Sequence, residues 1–276
     1  MVSVDEIRIG EEFLRTTHNQ APGAMSRYVL ANPLADGRSS YHYLADEVPD
    51  ARNVVDLGCG DGSLLAVLAG NGVTGLAGID LSDIELATAR QRPELHKADL
   101  RQGRAQELPF ADDSFDTVIS HMALMLMADI EQVLAQARRV LKPTGRLAIS
   151  IGLAPAEGSG RALFEKVARP TFAAARRSGA MPALGDRRMR SRQGVDELVT
   201  AAGFRPVGWT EIGHGPWATP EETWRSAVGS YYDATLVDAH QLQRLRGEFL
   251  DQAAKVAENG LLAHGARMAI VTTRLG

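Results

Sequence analysis

The sequence predicts an α/β chain built on a doubly wound, mostly parallel, seven-stranded sheet with helical cap insertions. Three observations predict it. Between Asn53 and Gly152, short apolar runs alternate with stretches of helical periodicity, the pattern of parallel strands joined by crossover helices. The first run ends in glycines at alternate positions, Gly58, Gly60 and Gly62, as expected where a ligand approaches the carboxyl end of a strand. After Gly152 the sequence becomes Ala-, Gly- and Arg-rich and helical, and strand-like runs return at 205–212 and Arg267–Leu275. Successive βα repeats with right-handed crossovers force a doubly wound sheet.

Before Asp50, a segment carrying Tyr28, Tyr41, His42 and Tyr43 reads as helices packed near the sheet's ligand edge. Asn53–Leu57 is a β-branched strand, and 63–69 spaces Leu64, Leu65, Val67 and Leu68 as a helix stopped by Gly70, Asn71 and Gly72. A second buried strand covers 76–81. Ser82 caps a helix over 83–92, which must end before Pro93. The third strand falls near 94–102, in a segment more polar than a central strand usually is, and the fourth covers 116–120. Ile130, Val133, Leu134, Ala137, Val140 and Leu141 form an amphipathic helix, closed by Pro143 and Gly145 before a fifth strand at 146–151. Residues 153–192 read as a helical cap without strands. A short helix at 194–202 ends at Gly203, and 216–260 is helical again, with Thr219, Pro220 and Glu222 as its start and Leu242, Leu245, Phe249 and Leu250 as its apolar face. The expected organisation is a helical lid over 1–50, a ligand-binding core over 51–152, a cap over 153–192, and the end of the sheet over 193–276 with a second insertion at about 216–264.

Composition narrows the function classes. Apolar residues make up 45% and charged residues 23% of the 276, enough for a full core. The single Cys59 cannot form an intramolecular bridge, and residues 1–15 carry charges where a signal peptide needs an apolar run, so a cytoplasmic protein is expected. No apolar run approaches the roughly 20 residues that span a bilayer. A net charge of −4 and a pI near 6.0 give no overall pull toward nucleic acid. His18, His42, His96, His121, His214, His240 and His264 show no metal-ligand spacing, so no metal is expected.

The chemistry-bearing stretch is Asp56-Leu57-Gly58-Cys59-Gly60-Asp61-Gly62. Its glycines let a ligand lie against backbone, but the third comes one position earlier than a dinucleotide fingerprint places it, which counts against a pyrophosphate ligand. Asp80, ending the second strand, stands where a carboxylate can accept hydrogen bonds from ribose hydroxyls. Together they point to an adenosine-like ligand. Cys59 reads as a small packed residue, and Asp112 and Asp113 as turn residues.

Across 54–151 the chain resembles the class I S-adenosylmethionine-dependent methyltransferases, the Rossmann-like group that includes ubiquinone/menaquinone-type and natural-product enzymes. The resemblance rests on VVDLGCGDGS, GIDLS, ELPFADDSFDTVIS and RRVLKPTGRLAIS in that order. It implies S-adenosylmethionine as cofactor, released as S-adenosylhomocysteine. By the same resemblance Asp56, Gly58 and Gly60 hold its methionine end, Asp80 its ribose, and Leu81 lies beside the adenine. Arg104, Ala105 and Gln106 occupy the adenine-reading segment, and Ser120 counts among the cofactor contacts. The family often has Asp where this chain has Arg104; arginine cannot accept a hydrogen bond, so Arg104→Asp is expected to preserve or tighten cofactor binding, or to weaken it where Arg104 stacks or pairs with a neighbour.

His121, following the fourth strand, faces the acceptor pocket in such proteins and reads as a proton acceptor or as packing. Met122, Met125 and Met127 read as core filling or as a substrate platform. Tyr28, Met122 and Trp217 are the expected acceptor contacts; Trp217, Trp224, Tyr231 and Tyr232 read as pocket lining or cap anchors. Arg176, Arg177, Arg187, Arg188, Arg190 and Arg192 read as a solvated surface or as recognition of an acidic substrate. The implied function is methyl transfer to O, N or C of a small molecule by a monomer or homodimer, without nucleic-acid or membrane partners. The alternatives are a nicotinamide-dependent oxidoreductase and a non-catalytic cofactor-binding regulator. Ser120-His121-Met122-Ala123 stands where nucleic-acid base methyltransferases carry an Asn/Asp-Pro-Pro-aromatic tetrapeptide, which argues against a nucleic-acid acceptor.

Overall fold

A computed structural model describes residues 4–177, 181–213 and 217–276; His214 and Pro216 lie outside the described residues. Three helices precede the sheet: α1 (Val4–Gln20), α2 (Ala24–Ala31) and α3 (Ser40–Asp46). The alternating core follows, with β1 (Asn53–Leu57), α4 (Ser63–Gly70), β2 (Gly75–Asp80), α5 (Asp83–Arg90), β3 (Asp99–Gln102), β4 (Phe115–His121), α6 (Ile130–Val140) and β5 (Leu141–Leu153). The rest comprises α7 (Gly160–Arg177), α8 (Arg192–Ala201), β6 (Phe204–Gly213), β7 (Trp217–Ala218), α9 (Pro220–Val228), α10 (Ala239–Val256), β8 (Leu262–Ala263) and β9 (Arg267–Leu275).

The main sheet has seven strands in the order β3-β2-β1-β4-β5-β9-β6. β1 pairs in parallel with both β2 and β4, and β9 runs antiparallel to β5 and β6. Strand order reverses between β1 and β4. The chain leaves these neighbours in opposite directions and opens a crevice at their carboxyl ends, which is where such sheets bind ligands.

Local differences from the sequence expectation have physical causes. Helix α5 stops at Arg90 because Arg92 precedes Pro93 and is held extended (φ −76°, ψ 122°). A single 3₁₀ turn, Pro93–Leu95, then delays β3 to Asp99. Pro143 and Gly145 do not separate α6 from β5. The helix runs straight into the strand, Leu141 already pairs with Phe115, and an irregularity between Phe115 and Thr117 absorbs the exposed Pro143. The second insertion is not helical throughout. β7 and β8 pair at its two ends, Trp217 with Ala263 and Ala218 with Leu262, a contact between remote two-residue segments that no local periodicity could announce.

Apolar side chains gather into separate cores. The sheet has one on each face, the first containing Val118, Leu134 and Leu147, the second Leu44, Leu65 and Ile119. A third lies within α7, α9 and α10 around Phe164, which is fully buried and has Trp224, Tyr231, Phe172 and Phe249 within 5.5–6.1 Å between ring centres. The cap thus has a hydrophobic core of its own. Its helices are locally specified as well, since Thr219 with Glu222 and Asp238 with Gln241 form capping boxes. Among the described residues no helix is long and apolar enough to cross a membrane.

Candidate active site

Past β1 the chain turns through Gly58 (φ +76°), Gly60 (φ +51°) and Gly62 (φ +75°). The backbone N–H groups of Gly58 and Cys59 both donate to the Ile79 carbonyl, at 2.9 and 3.1 Å, and pin the loop to β2. A Cβ at Gly58 would lie 2.5 Å from that of Ala123, whereas at Gly60 it would meet nothing within 4 Å. Gly60 therefore leaves bare backbone beside open space in the cavity wall. Asp80 holds the far side of the loop: one carboxylate oxygen accepts the Gly60 N–H at 2.8 Å and the other the Ser82 N–H at 2.8 Å.

Beneath the loop Asp56 is almost wholly buried, and its Oδ1 has no hydrogen-bond partner. Burial, reinforced by the charge of Asp80, pushes the Asp56 carboxyl well above the usual carboxylate range. Burial also raises Asp80, against the pull of its two N–H donors. A buried carboxylate and a partly buried one, both with spare acceptor capacity, favour a ligand that brings donors and positive charge. S-adenosylmethionine, with an ammonium, a sulfonium and two ribose hydroxyls, fits that donor set. Cys59 is buried, and burial, with the charges of Asp80 and Asp56, pushes its thiol up, away from nucleophilic character.

The glycine loop opens into a cavity of about 1390 Å³, above the roughly 300–1,000 Å³ of a single-ligand pocket and large enough for two molecules. A smaller depression of about 680 Å³, lined by Asp112, Arg138 and Leu275, shares none of the loop's residues. The N-terminal helices roof the main cavity through polar ties. Arg104 Nε reaches both oxygens of Glu11 on α1, at 2.8 and 2.9 Å. Ser26 of α2 donates to Asp61 at 2.5 Å, and Arg92 clamps the same carboxylate at 2.6 Å. His18 lies 3.3 Å from Glu85 Oε1 through Nδ1 and 3.0 Å from the Tyr232 hydroxyl through Nε2. Burial alone would lower the pKa of His18, but the bond to Glu85 and the charges of Asp80 and Glu85 outweigh it and raise it.

His121 ends β4 and lines the cavity. Its Nε2 is 2.8 Å from Ser40 Oγ on α3, and its ring centre is 4.5 Å from that of Tyr41. Met122 follows with φ +56°, a left-handed conformation that non-glycine residues adopt at a cost. Its N–H donates to the Ser150 carbonyl at 3.0 Å, which fixes this bend beside the site.

Leu81, Ala105, Gln106, Tyr28 and Met122 join Asp56, Gly58, Gly60, Asp80, Arg104 and His121 in the cavity wall, as do Met125, Met127, Tyr231 and Tyr232. Two expected contacts do not reach it. Ser120 is fully buried within β4, where its hydroxyl donates to the Leu57 carbonyl at 2.8 Å. Trp217 sits on β7 and is 52% exposed, outside the cavity wall; Trp224 belongs to the cap core. Arg104 is no empty substitute for an adenine reader, because it is committed to Glu11 and Glu107. Gln106 is committed too, its amide donating to the Ala128 carbonyl at 2.7 Å. The arginine cluster divides: Arg176, Arg187 and Arg190 line the cavity, whereas Arg188 pairs with Asp186 and Glu131 on the surface. Sequence reasoning missed His18, Ser40, Arg161 and Glu165, whose segments carry no motif.

Residues 55–149 match the methyltransferase domain family. A demethylmenaquinone methyltransferase of Listeria welshimeri is 39% identical over 106 residues, 37% of this chain and 45% of that one. Methyltransferase GfsG of Streptomyces halstedii is 36% identical over 108 residues, 38% of this chain and 39% of that one. The chain thus spans less than half the length of these relatives. Among solved structures, the (4+2) cyclase SpnF superposes with a TM-score of 0.60 at 17% identity, covering 96% of each chain. Geranyl diphosphate methyltransferase, in complex with geranyl diphosphate and sinefungin, gives 0.52 at 15% identity, covering 86% of this chain and 77% of that one. The sheet, its glycine loop and the family match agree: residues 55–149 form a methyltransferase domain of the class I S-adenosylmethionine-dependent kind.

Proposed function

We propose that this chain transfers the methyl group of S-adenosylmethionine to a small-molecule acceptor inside the cavity. The observation that carries the reading is a pair of carboxylates, the buried Asp56 and the partly buried Asp80, around bare Gly60 backbone, in a cavity with room for a second molecule. In this reading Asp80 accepts the ribose hydroxyls, Asp56, Gly58 and Gly60 face the methionine end, and Leu81, Ala105 and Gln106 border the adenine. Tyr28 and Met122 face the acceptor. A lone pair of the acceptor attacks the methyl carbon, the carbon–sulfur bond breaks with its electrons passing to sulfur, and S-adenosylhomocysteine leaves. The protein mainly supplies alignment and desolvation, since the cofactor carries its own leaving group.

His121 is the proton acceptor where the acceptor is a hydroxyl or an ammonium. Ser40 Oγ, 2.8 Å from Nε2, holds the imidazole ring in place at the cavity wall. The setting we propose is cytoplasmic and bacterial, in specialised metabolism, a reading supported by the Ala-, Arg- and Gly-rich composition with Lys only at 97, 142, 166 and 255.

The test joins calorimetry with S-adenosylhomocysteine to a metabolite screen using methyl-labelled S-adenosylmethionine. Binding, with label appearing on an acceptor as S-adenosylhomocysteine is released, is the expected result. Stronger binding of NAD, or no binding of either methyl-cycle ligand, removes the reading. With an acceptor in hand, His121→Ala should lower kcat by about 10²- to 10⁴-fold at nearly unchanged cofactor affinity. Full kcat with only a raised KM would make His121 an orienting residue.

A further inference from the structure

The cap wall of the cavity holds a guanidinium whose hydrogen bonding the protein leaves unfinished. Arg161, at the start of α7, lines the cavity; its Nη2 donates to Ser230 Oγ, and its guanidinium carbon lies 4.6 Å from the centre of the Tyr231 ring. Its Nη1 is shut off from solvent and has no hydrogen-bond partner. The neighbouring carboxylates of this wall are occupied elsewhere. Asp233 is held by Arg176 through both of its oxygens, and Glu165 accepts the Tyr231 hydroxyl. Arg187 and Arg190 add positive charge at the exposed rim. The guanidinium also hydrogen-bonds the Tyr231 side chain, yet Nη1 keeps no acceptor, and a guanidinium nitrogen shut off from water and short of an acceptor is where a charge-assisted bond gains most.

We propose that the acceptor is a carboxylic acid with an apolar body, its carboxylate received by Arg161 and its body lying against Met125, Leu153 and Met268, which line the same cavity. The inference rests on the methyl-transfer reading and gives its substrate a chemical class. A singly charged carboxylate suits the wall better than a dianion, because Glu165 and Asp233 stand in it and repel a second negative charge. The planar guanidinium fork also matches a planar carboxylate.

The experiment uses the full chain saturated with S-adenosylhomocysteine, a step that tests the cofactor reading first and separately. Calorimetry then compares benzoate, 3-phenylpropionate and octanoate with their primary amides, which keep shape and lose charge. At least one acid should bind tenfold or more above its amide, about 1.4 kcal/mol or more. Arg161→Gln should remove that preference while S-adenosylhomocysteine affinity stays within about twofold. If Arg161→Gln does not fold, Arg161→Lys, which keeps the charge and loses the fork, should weaken acid binding and leave amide binding unchanged. Amides binding as well as acids, an acid preference that survives Arg161→Gln, or a loaded chain that binds no acid of the three overturns the proposal. Failure to bind S-adenosylhomocysteine at the first step overturns the cofactor reading and this inference with it.

Discussion

The two ends of the cavity are built by different means. At the glycine-loop end, backbone and carboxylates from two adjacent strands do the work, and Asp56, Gly60 and Asp80 are brought together by the parallel pairing of β1 with β2. At the cap end the wall consists of side chains from α7, from the segments around Arg187 and Tyr231, and from the start of β9, held by a core around Phe164 that is separate from the sheet. One end depends on local sequence and sheet register. The other depends on tertiary packing between distant segments, so it can change with less consequence for the glycine-loop end.

That contrast can be broken most forcefully in the cap core. Phe164 is fully buried among four aromatic rings, and Phe164→Ala should cost about 3–5 kcal/mol of stability through lost burial and the cavity left behind. If the two ends are independent, the variant should lose acceptor turnover at temperatures where S-adenosylhomocysteine binding persists. Thermal unfolding followed with and without S-adenosylhomocysteine checks this, and a single transition that abolishes both together would show that the cap core supports the whole chain.

The complementary cut is at the loop. Asp80→Ala removes the acceptor for two backbone N–H groups and for the proposed ribose contact. Cofactor affinity should fall by about 1.5–3 kcal/mol, while the cap should unfold as in the parent. Unchanged affinity in a folded variant would remove Asp80 from the cofactor site.

The same contrast explains what could be read in advance. Asp56, Gly58, Gly60 and Asp80 were legible because strand ends and glycine spacing are local features, and the parallel sheet brings strand ends to one edge. His121 and Met122 were legible for the same reason, as the end of β4. Ser120 misled because alternate residues of a strand face opposite ways, and it turns toward Leu57. Trp217 misled because an aromatic residue carries no sign of which side of an insertion it will face. Arg161 and Glu165 lie in a helix whose apolar pattern reports only the face turned to Phe164, and nothing in that pattern says that the opposite face meets a cavity.

A smaller effect is expected where the lid meets the loop end. Arg104 and Glu11 are only partly exposed, and breaking a pair of this kind is worth about 0.2–1 kcal/mol, so Arg104→Ala should weaken cofactor binding by no more than about fivefold. Because Arg104 pairs with neighbours, Arg104→Asp falls under the second of its two sequence expectations. It places a carboxylate against Glu11 and Glu107 and should weaken binding more than alanine does. Paired reversal, Arg104→Glu with Glu11→Arg, should recover part of the loss. Tighter binding by Arg104→Asp would restore the idea of a missing adenine reader.

The smallest expected effect, and the one that separates lid from cap, is the pH dependence carried by His18. Its ring joins α1 to Glu85 at the loop end and to Tyr232 at the cap end, so it is the one contact described above that touches both. Its pKa in the folded chain is raised, because the bond to Glu85 and the charges of Asp80 and Glu85 outweigh burial. A histidine whose folded value exceeds its unfolded value of about 6.5 contributes stability that is fully present below that pH and is lost as pH rises through the folded value. The parent should therefore lose stability relative to His18→Gln as pH is raised from about 6 to 8.5, with the two profiles running parallel at the alkaline end, where both side chains are neutral. Tm measured across that range for both proteins gives the difference directly. Profiles that stay parallel throughout would mean that His18 has the same pKa in the folded and unfolded chains. Protonation of His18 would then add nothing to the link between lid and cap, and a parent that instead gains stability over His18→Gln as pH rises would mean that burial outweighs the bond to Glu85.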